Sequence, residues 1–155
     1  MTSQMTTRSS TPNPLDNAPV PVRTKLVAAW TSFMFLYVYV DILNFYKPGV
    51  VESILDGLVW KFEVSPTLLT GMLASVAFPA LMVMLSITLP ARVNRVTNLV
   101  AASLYIPYSI FNAAGASWEW VGFYGISIGA EVLLLAFILR SAWTWPRTAA
   151  TAASR

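Results

Sequence analysis

Four stretches of nearly unbroken apolar sequence, at about residues 26–46, 67–89, 96–115 and 120–139, take up more than half of a chain of 155 residues. Each approaches the ~20 residues with which an α-helix crosses the hydrocarbon core of a bilayer. The connections between them are short and leave no room for a water-soluble core. Charged residues make up 11 % of the chain, against about a quarter in soluble domains, and the mean hydropathy is +0.61. The expected fold is therefore all-α, an integral membrane four-helix bundle over residues 25–147. A disordered cytoplasmic tail over 1–24 and a short cytoplasmic tail over 148–155 flank it.

The residues between the runs support this division. Residues 1–24 are rich in Ser, Thr and Pro (Ser9, Ser10, Thr11, Pro12, Pro14, Pro19, Pro21) and lack an apolar run able to bury a core. The first such run starts at Leu26 and leads into Tyr46-Lys47-Pro48 rather than a small-residue cleavage site, so no cleaved signal is expected. Pro48-Gly49 closes the first span, Ser65-Pro66 opens the second as N-cap and first-turn residue, and Pro90 stops it. Ala91 to Arg95 reads as a turn. Over about residues 50–60, Val50, Val51, Ile54, Leu55 and Leu58 alternate with Glu52 and Asp56 at helical spacing, over a length too short to cross. That pattern predicts a helix lying in the interface.

The net charge of +3 and the isoelectric point near 9.5 do not point to nucleic acid, because the basic residues flank the spans. Arg8, Arg23, Lys25, Arg92, Arg95, Arg140, Arg147 and Arg155 fall on one side, Lys47 and Lys61 on the other. By the positive-inside rule both termini are cytoplasmic, the expected partner is the lipid bilayer, and no nucleic-acid partner is expected. Trp30, Trp60, Trp118, Trp120, Trp143 and Trp145 fall near span ends and read as headgroup-level anchors.

With neither Cys nor His in the chain, disulfides, thiol nucleophiles, imidazole bases and thiolate or imidazole metal sites are excluded. No metal site and no cofactor is expected. Chemistry is left to two carboxyls inside spans, Asp41 and Glu131, since a charge placed there costs several kcal/mol unless paired, protonated or facing water. Asp41 lies about five residues, roughly 8 Å, from the outer end of the first span. Glu131 falls near the bilayer midplane, beyond the reach of snorkelling. Steps of four and three place Trp30, Met34, Tyr37, Asp41 and Asn44 on one face of the first span. Tyr124, Ser127 and Glu131 share a face of the fourth, and Asn98, Tyr105, Tyr108 and Asn112 share one of the third approximately. A polar seam between three helices is the economical inference. Its candidate ligand or proton site comprises Glu131, Asp41, Tyr37, Asn44, Tyr105, Tyr108, Asn112 and Tyr124.

Gly125 and Gly129 form a GxxxG, and Gly71 with Ser75 a small-xxx-small pair, both suited to close helix approach inside the chain or in a homo-oligomer. Pro79 and Pro107 lie within spans, where neighbouring helices tolerate a kink. An acid/base pair of Asp41 and Glu131 is disfavoured by a difference in depth of about 8 to 10 Å, and the chain is expected not to be an enzyme.

These motifs together resemble a family of uncharacterised small four-span bacterial membrane proteins, a domain of unknown function. The similar stretch runs from Lys25 to Pro146. It includes Lys25-Leu26, Trp30-Thr31-Ser32, Met34-Phe35, then Tyr37, Tyr39 and Asp41 at alternate positions. Further matches are Pro48-Gly49, Ser65-Pro66, Pro79, Leu85-Ser86, Asn94-Arg95, Asn98, Glu131 and Ala142-Trp143-Thr144-Trp145-Pro146. The resemblance implies a four-helix membrane fold in a bacterial cytoplasmic membrane and supplies no activity. A non-enzymatic accessory or structural membrane component is the first expectation. The alternative is an oligomeric proton- or cation-coupled small-molecule transporter or ligand-binding protein that uses Glu131.

Overall fold

In the computed structural model, which describes residues 19–114 and 117–146, proline opens three of the four long helices. Helix α1 (Val22–Asn44) follows Pro21, α3 (Pro66–Thr88) holds Pro66 in its first turn, and α4 (Ala91–Phe111) follows Pro90. The first N–H groups of a helix have no partner within it, so a proline there loses nothing and its fixed φ suits the entry. The Pro21 carbonyl accepts from Lys25 N at 3.2 Å and the Pro90 carbonyl from Asn94 N at 2.9 Å. Ser65 Oγ caps α3 by accepting from Leu68 N at 3.2 Å.

These starts lie upstream of the apolar runs. Helix α1 begins at Val22 rather than Leu26, so the last residues assigned to the N-terminal tail form its first turn. The stretch Ala91 to Arg95, expected as a turn, is the first turn of α4. Hydropathy marks where side chains become polar, whereas the backbone ladder continues as long as its end groups find partners. Helix α5 (Val121–Trp143) likewise outruns its expected end at 139, because Arg95 donates to the Ala142 carbonyl at 3.1 Å and the Trp143 carbonyl at 3.4 Å. Arg23 serves α3 in the same way through the Ile87 carbonyl. Each arginine thus places its charge at the negative end of a neighbouring helix. The remaining tail residues, 1–18 and 147–155, lie outside the described residues, as does Gly115.

The expected interfacial helix is cut short. Helix α2 (Val50–Leu55) stops where Gly57 takes φ +79°, and Val64 N returns to the Gly57 carbonyl at 2.8 Å. A two-residue hairpin follows, β1 (Leu58–Val59) against β2 (Phe62–Glu63), with Val59 opposite Phe62. Its turn residue Trp60 has φ +55°, a conformation that costs a bulky side chain roughly 1–2 kcal/mol. The apolar spacing of 50–60 was compatible with a helix, and a glycine inside it was the overlooked stop signal.

Helix α1 packs against α3 and α5, and α5 packs against α4. Arg23 and Arg95 meet helix ends at one end of the molecule and Lys47 meets Tyr124 at the other, so the long helices alternate in direction. The core is thin: Leu26, Trp30 and Phe33 of α1, Met82 of α3, Ala101 and Ala102 of α4, and Leu135 and Ile138 of α5. Trp30, expected as an interfacial anchor, is fully buried and donates through Nε1 to Asn98 Oδ1 at 2.7 Å. Asn98 Nδ2 donates to Asn94 Oδ1 at 2.6 Å, and Asn94 Nδ2 to the Ser86 carbonyl at 2.6 Å. Buried amides demand such partners, and this network joins α1, α3 and α4.

Outside, the molecule is apolar. Phe35, Leu73, Leu104 and Leu133 are each more than 60 % exposed, a surface that a soluble monomer avoids. Among the described residues, all regular structure apart from the hairpin is helical. Three helices are long and apolar enough to cross a membrane: α1, α3, and α5 with the Trp118–Trp120 turn before it. No close approach within the described residues uses the small-residue motifs, because a Cβ added at Gly71, Gly125 or Gly129 would meet nothing within 4 Å.

Candidate functional site

Pro79 organises the middle of the helical group. It has no N–H to give the carbonyl four residues earlier, that of Ser75. Tyr105 of α4 supplies the missing donor, its hydroxyl bonding the Ser75 carbonyl at 2.8 Å. The carbonyl freed by the proline is thus satisfied by a side chain from the neighbouring helix. Tyr105 also packs against Phe33 and Phe78, with centroids 5.7 Å away in each case.

Above this aromatic layer, toward the end that carries Lys47, the helices part around a cavity of about 470 Å³. Of the residues expected to form a site, Tyr37, Asp41, Asn44, Tyr108, Asn112, Tyr124 and Glu131 all line it. Tyr105 does not; it lies in the layer beneath, with its proton committed to α3. Val59, Trp60 and Phe62 of the hairpin also line the cavity. No basic side chain is among the lining residues.

The hydroxyl protons of Ser75, Tyr37 and Tyr108 in the wall have defined acceptors. Ser75 Oγ donates to the Met72 carbonyl at 2.7 Å. Tyr37 Oη lies 3.2 Å from Ser75 Oγ and 3.1 Å from Tyr108 Oη. A hydroxyl has one proton, so the chain of donors runs from Tyr108 to Tyr37 to Ser75. The Tyr108 oxygen is left with acceptor capacity. Tyr124 Oη accepts from Lys47 Nζ at 2.6 Å.

Glu131 lies on the floor. It is 3 % exposed, with the Ser109 hydroxyl as a close polar neighbour, and neither its Oε2 nor Ser109 Oγ meets full hydrogen-bond geometry with any partner among the described residues. Ten residues separate it from Val121 and twelve from Trp143, so it sits ~15 Å and ~18 Å from the two ends of α5. Asp41 is exposed and three residues from the end of α1, ~5 Å along the helix axis. That is shallower than the apolar run implied, because α1 ends at Asn44 rather than Tyr46.

Sequence reasoning missed Lys47, Ser75, Ser109 and the hairpin as parts of this region. Lys47 and Tyr124 are 77 positions apart, and no local pattern links them. Pro79 did carry a signal for Ser75, since the freed carbonyl of an internal proline always lies four residues before it.

Helices of membrane-crossing length around a carboxyl-floored cavity define the class of molecule. The chain belongs to a family of unknown function, DUF6326, whose model matches residues 21–151. No curated protein and no solved structure matches it.

Proposed function

We propose that this chain is a non-enzymatic protein of the bacterial cytoplasmic membrane that crosses it four times, with both termini cytoplasmic, and holds a small cation in the cavity above Glu131. The observation that carries the reading is the Glu131 carboxyl, deeply buried beside only the Ser109 hydroxyl in near-contact and with no cationic partner among the described residues. A polar atom in that position is costly without a partner. The lining offers acceptors, two carboxyls and tyrosine faces, with the one nearby basic group, Lys47, at the Tyr124 hydroxyl rather than among the lining residues, which favours a cationic guest.

The fourth crossing rests on α4, whose polarity is turned inward. Asn94 and Asn98 are fully buried, while Val93, Val96, Val100 and Leu104 form an exposed apolar stripe. Among the described residues, Arg23, Lys25, Arg92, Arg95 and Arg140 fall toward one end and Lys47 and Lys61 toward the other, which supports cytoplasmic termini. The difference in depth between Asp41 and Glu131, ~10 Å if the helix ends are level, supports a binding role over shared acid/base chemistry.

The test is titration of the purified protein in lipid nanodiscs with tetramethylammonium, comparing wild type with Glu131→Gln. The amide keeps the shape and removes the charge. Binding that weakens at least tenfold in a variant with unchanged helical content is expected. Equal binding by both proteins, or none by either to any alkylammonium, overturns the reading in favour of a purely structural role.

A further inference from the structure

At the mouth of the cavity, Lys47 is held by aromatic rings rather than by a carboxylate. Its Nζ lies 5.0 Å from the centroid of Trp120, 4.9 Å from that of Phe123 and 4.1 Å from that of Tyr124. All three are within the ~6 Å over which a ring face attracts a cation. The rings come from the turn before α5 and from its first turn. Phe123 and Tyr124 also line the cavity that Glu131 floors. Tyr124, Ser127 and Glu131 follow one another down the same face of α5, over ~10 Å. An aromatic cation site at the entrance and a carboxyl at the base are thus two stations along one helix.

Lys47 reaches this position from a short connection. The residue after it is Pro48, which disfavours the helical backbone region at Lys47 and helps to end α1. Its ammonium is compact and strongly hydrated, the kind of cation that gains least from aromatic faces. A quaternary ammonium, weakly hydrated and broad enough to touch several rings at once, gains most.

We propose that the ligand of this cavity is a quaternary ammonium ion whose head docks first against Trp120, Phe123 and Tyr124, and that Lys47 is a tethered competitor for that station. The proposal rests on the cavity reading above and adds the ligand class, the entry station and the group displaced. Lys47 keeps the station filled when no ligand is present and sets the concentration at which the ligand enters.

The experiment compares tetramethylammonium with methylammonium on wild type, Lys47→Met, Tyr124→Ala and Glu131→Gln in nanodiscs. Lys47→Met is expected to bind tetramethylammonium at least tenfold more tightly than wild type, and Tyr124→Ala at least tenfold more weakly. An unchanged or weaker affinity in Lys47→Met, with Glu131→Gln still impaired, overturns the competitor role and leaves the cavity reading standing. Binding of methylammonium alone, dependent on Glu131, overturns the quaternary class. Binding of neither ion by any form overturns both readings together. A second measurement needs no variant: in wild type, saturating tetramethylammonium should speed acylation of Lys47 by an amine reagent severalfold while leaving Lys61 unchanged. Protection of Lys47, or no change, counts against displacement.

Discussion

Two carboxyls line the same cavity in different surroundings: Glu131 is 3 % exposed, whereas Asp41 near the end of α1 is open. Solvent weakens any attraction that Asp41 exerts on a bound cation. Asp41→Asn should therefore lower tetramethylammonium affinity by only about two- to threefold, against tenfold or more for Glu131→Gln, in the same nanodisc titration. At the opposite end of the core, Asn98 is the residue on which the buried network turns. Replacing it by Leu strands the Trp30 N–H, the Ser86 hydroxyl and one Asn94 oxygen, which should cost ~1–3 kcal/mol in reversible denaturation. The loss should be smaller when Trp30 is already Phe, because the stranded indole donor is gone. The polar stripe Trp30, Tyr37, Asp41, Asn44 was legible from spacing alone. That Trp30 belongs to the core was not, since an indole near the start of an apolar run looks the same whether it faces a headgroup or an asparagine.

At the scale of elements, α3 and α4 are joined both through the Ser86–Asn94 network and where Pro79 interrupts the backbone ladder of α3. Pro79 frees the Ser75 carbonyl and Tyr105 fills it. Tyr105→Phe should thus destabilise the protein by ~1 kcal/mol. In a Pro79→Ala background the same change should be nearly silent, because residue 79 then donates to Ser75 itself. A double-mutant cycle measures this coupling, and equal costs in both backgrounds would show that the Tyr105 hydroxyl contributes independently of the carbonyl that Pro79 frees. Helix ends follow a related logic. The apolar runs predicted where each helix lies, but α1, α4 and α5 extend beyond them because Pro21, Pro90 and Arg95 satisfy their end groups. The hairpin at Leu58–Glu63 was hidden, since its turn residues Trp60 and Lys61 carry none of the usual turn chemistry.

For the molecule as a whole, the apolar exterior and thin core go with helices long and apolar enough to cross a bilayer. The chain contains no cysteine, so single-cysteine variants report topology without background. Lys61, Arg92 and Trp118 are exposed. With four crossings and cytoplasmic termini, Lys61→Cys and Trp118→Cys should react with an impermeant maleimide in intact spheroplasts, and Arg92→Cys only after lysis. Protection of Trp118→Cys would show that α4 does not cross. Labelling of Arg92→Cys alone would invert the orientation.

What the sequence determined by itself was the class of molecule and the residues with chemical potential. Runs of ~20 apolar residues are a local property, set by the width of the solvent they must cross, and helical spacing places Tyr124, Ser127 and Glu131 on one face whatever surrounds them. Only the tertiary structure decided which of these polar groups meet. It put seven of the expected residues around one cavity, assigned Tyr105 to the carbonyl that Pro79 frees beneath it, and seated Lys47 on rings 73 to 77 positions away. Such pairings depend on how helices rotate and lean against one another, and that is settled by packing between segments rather than by periodicity within them.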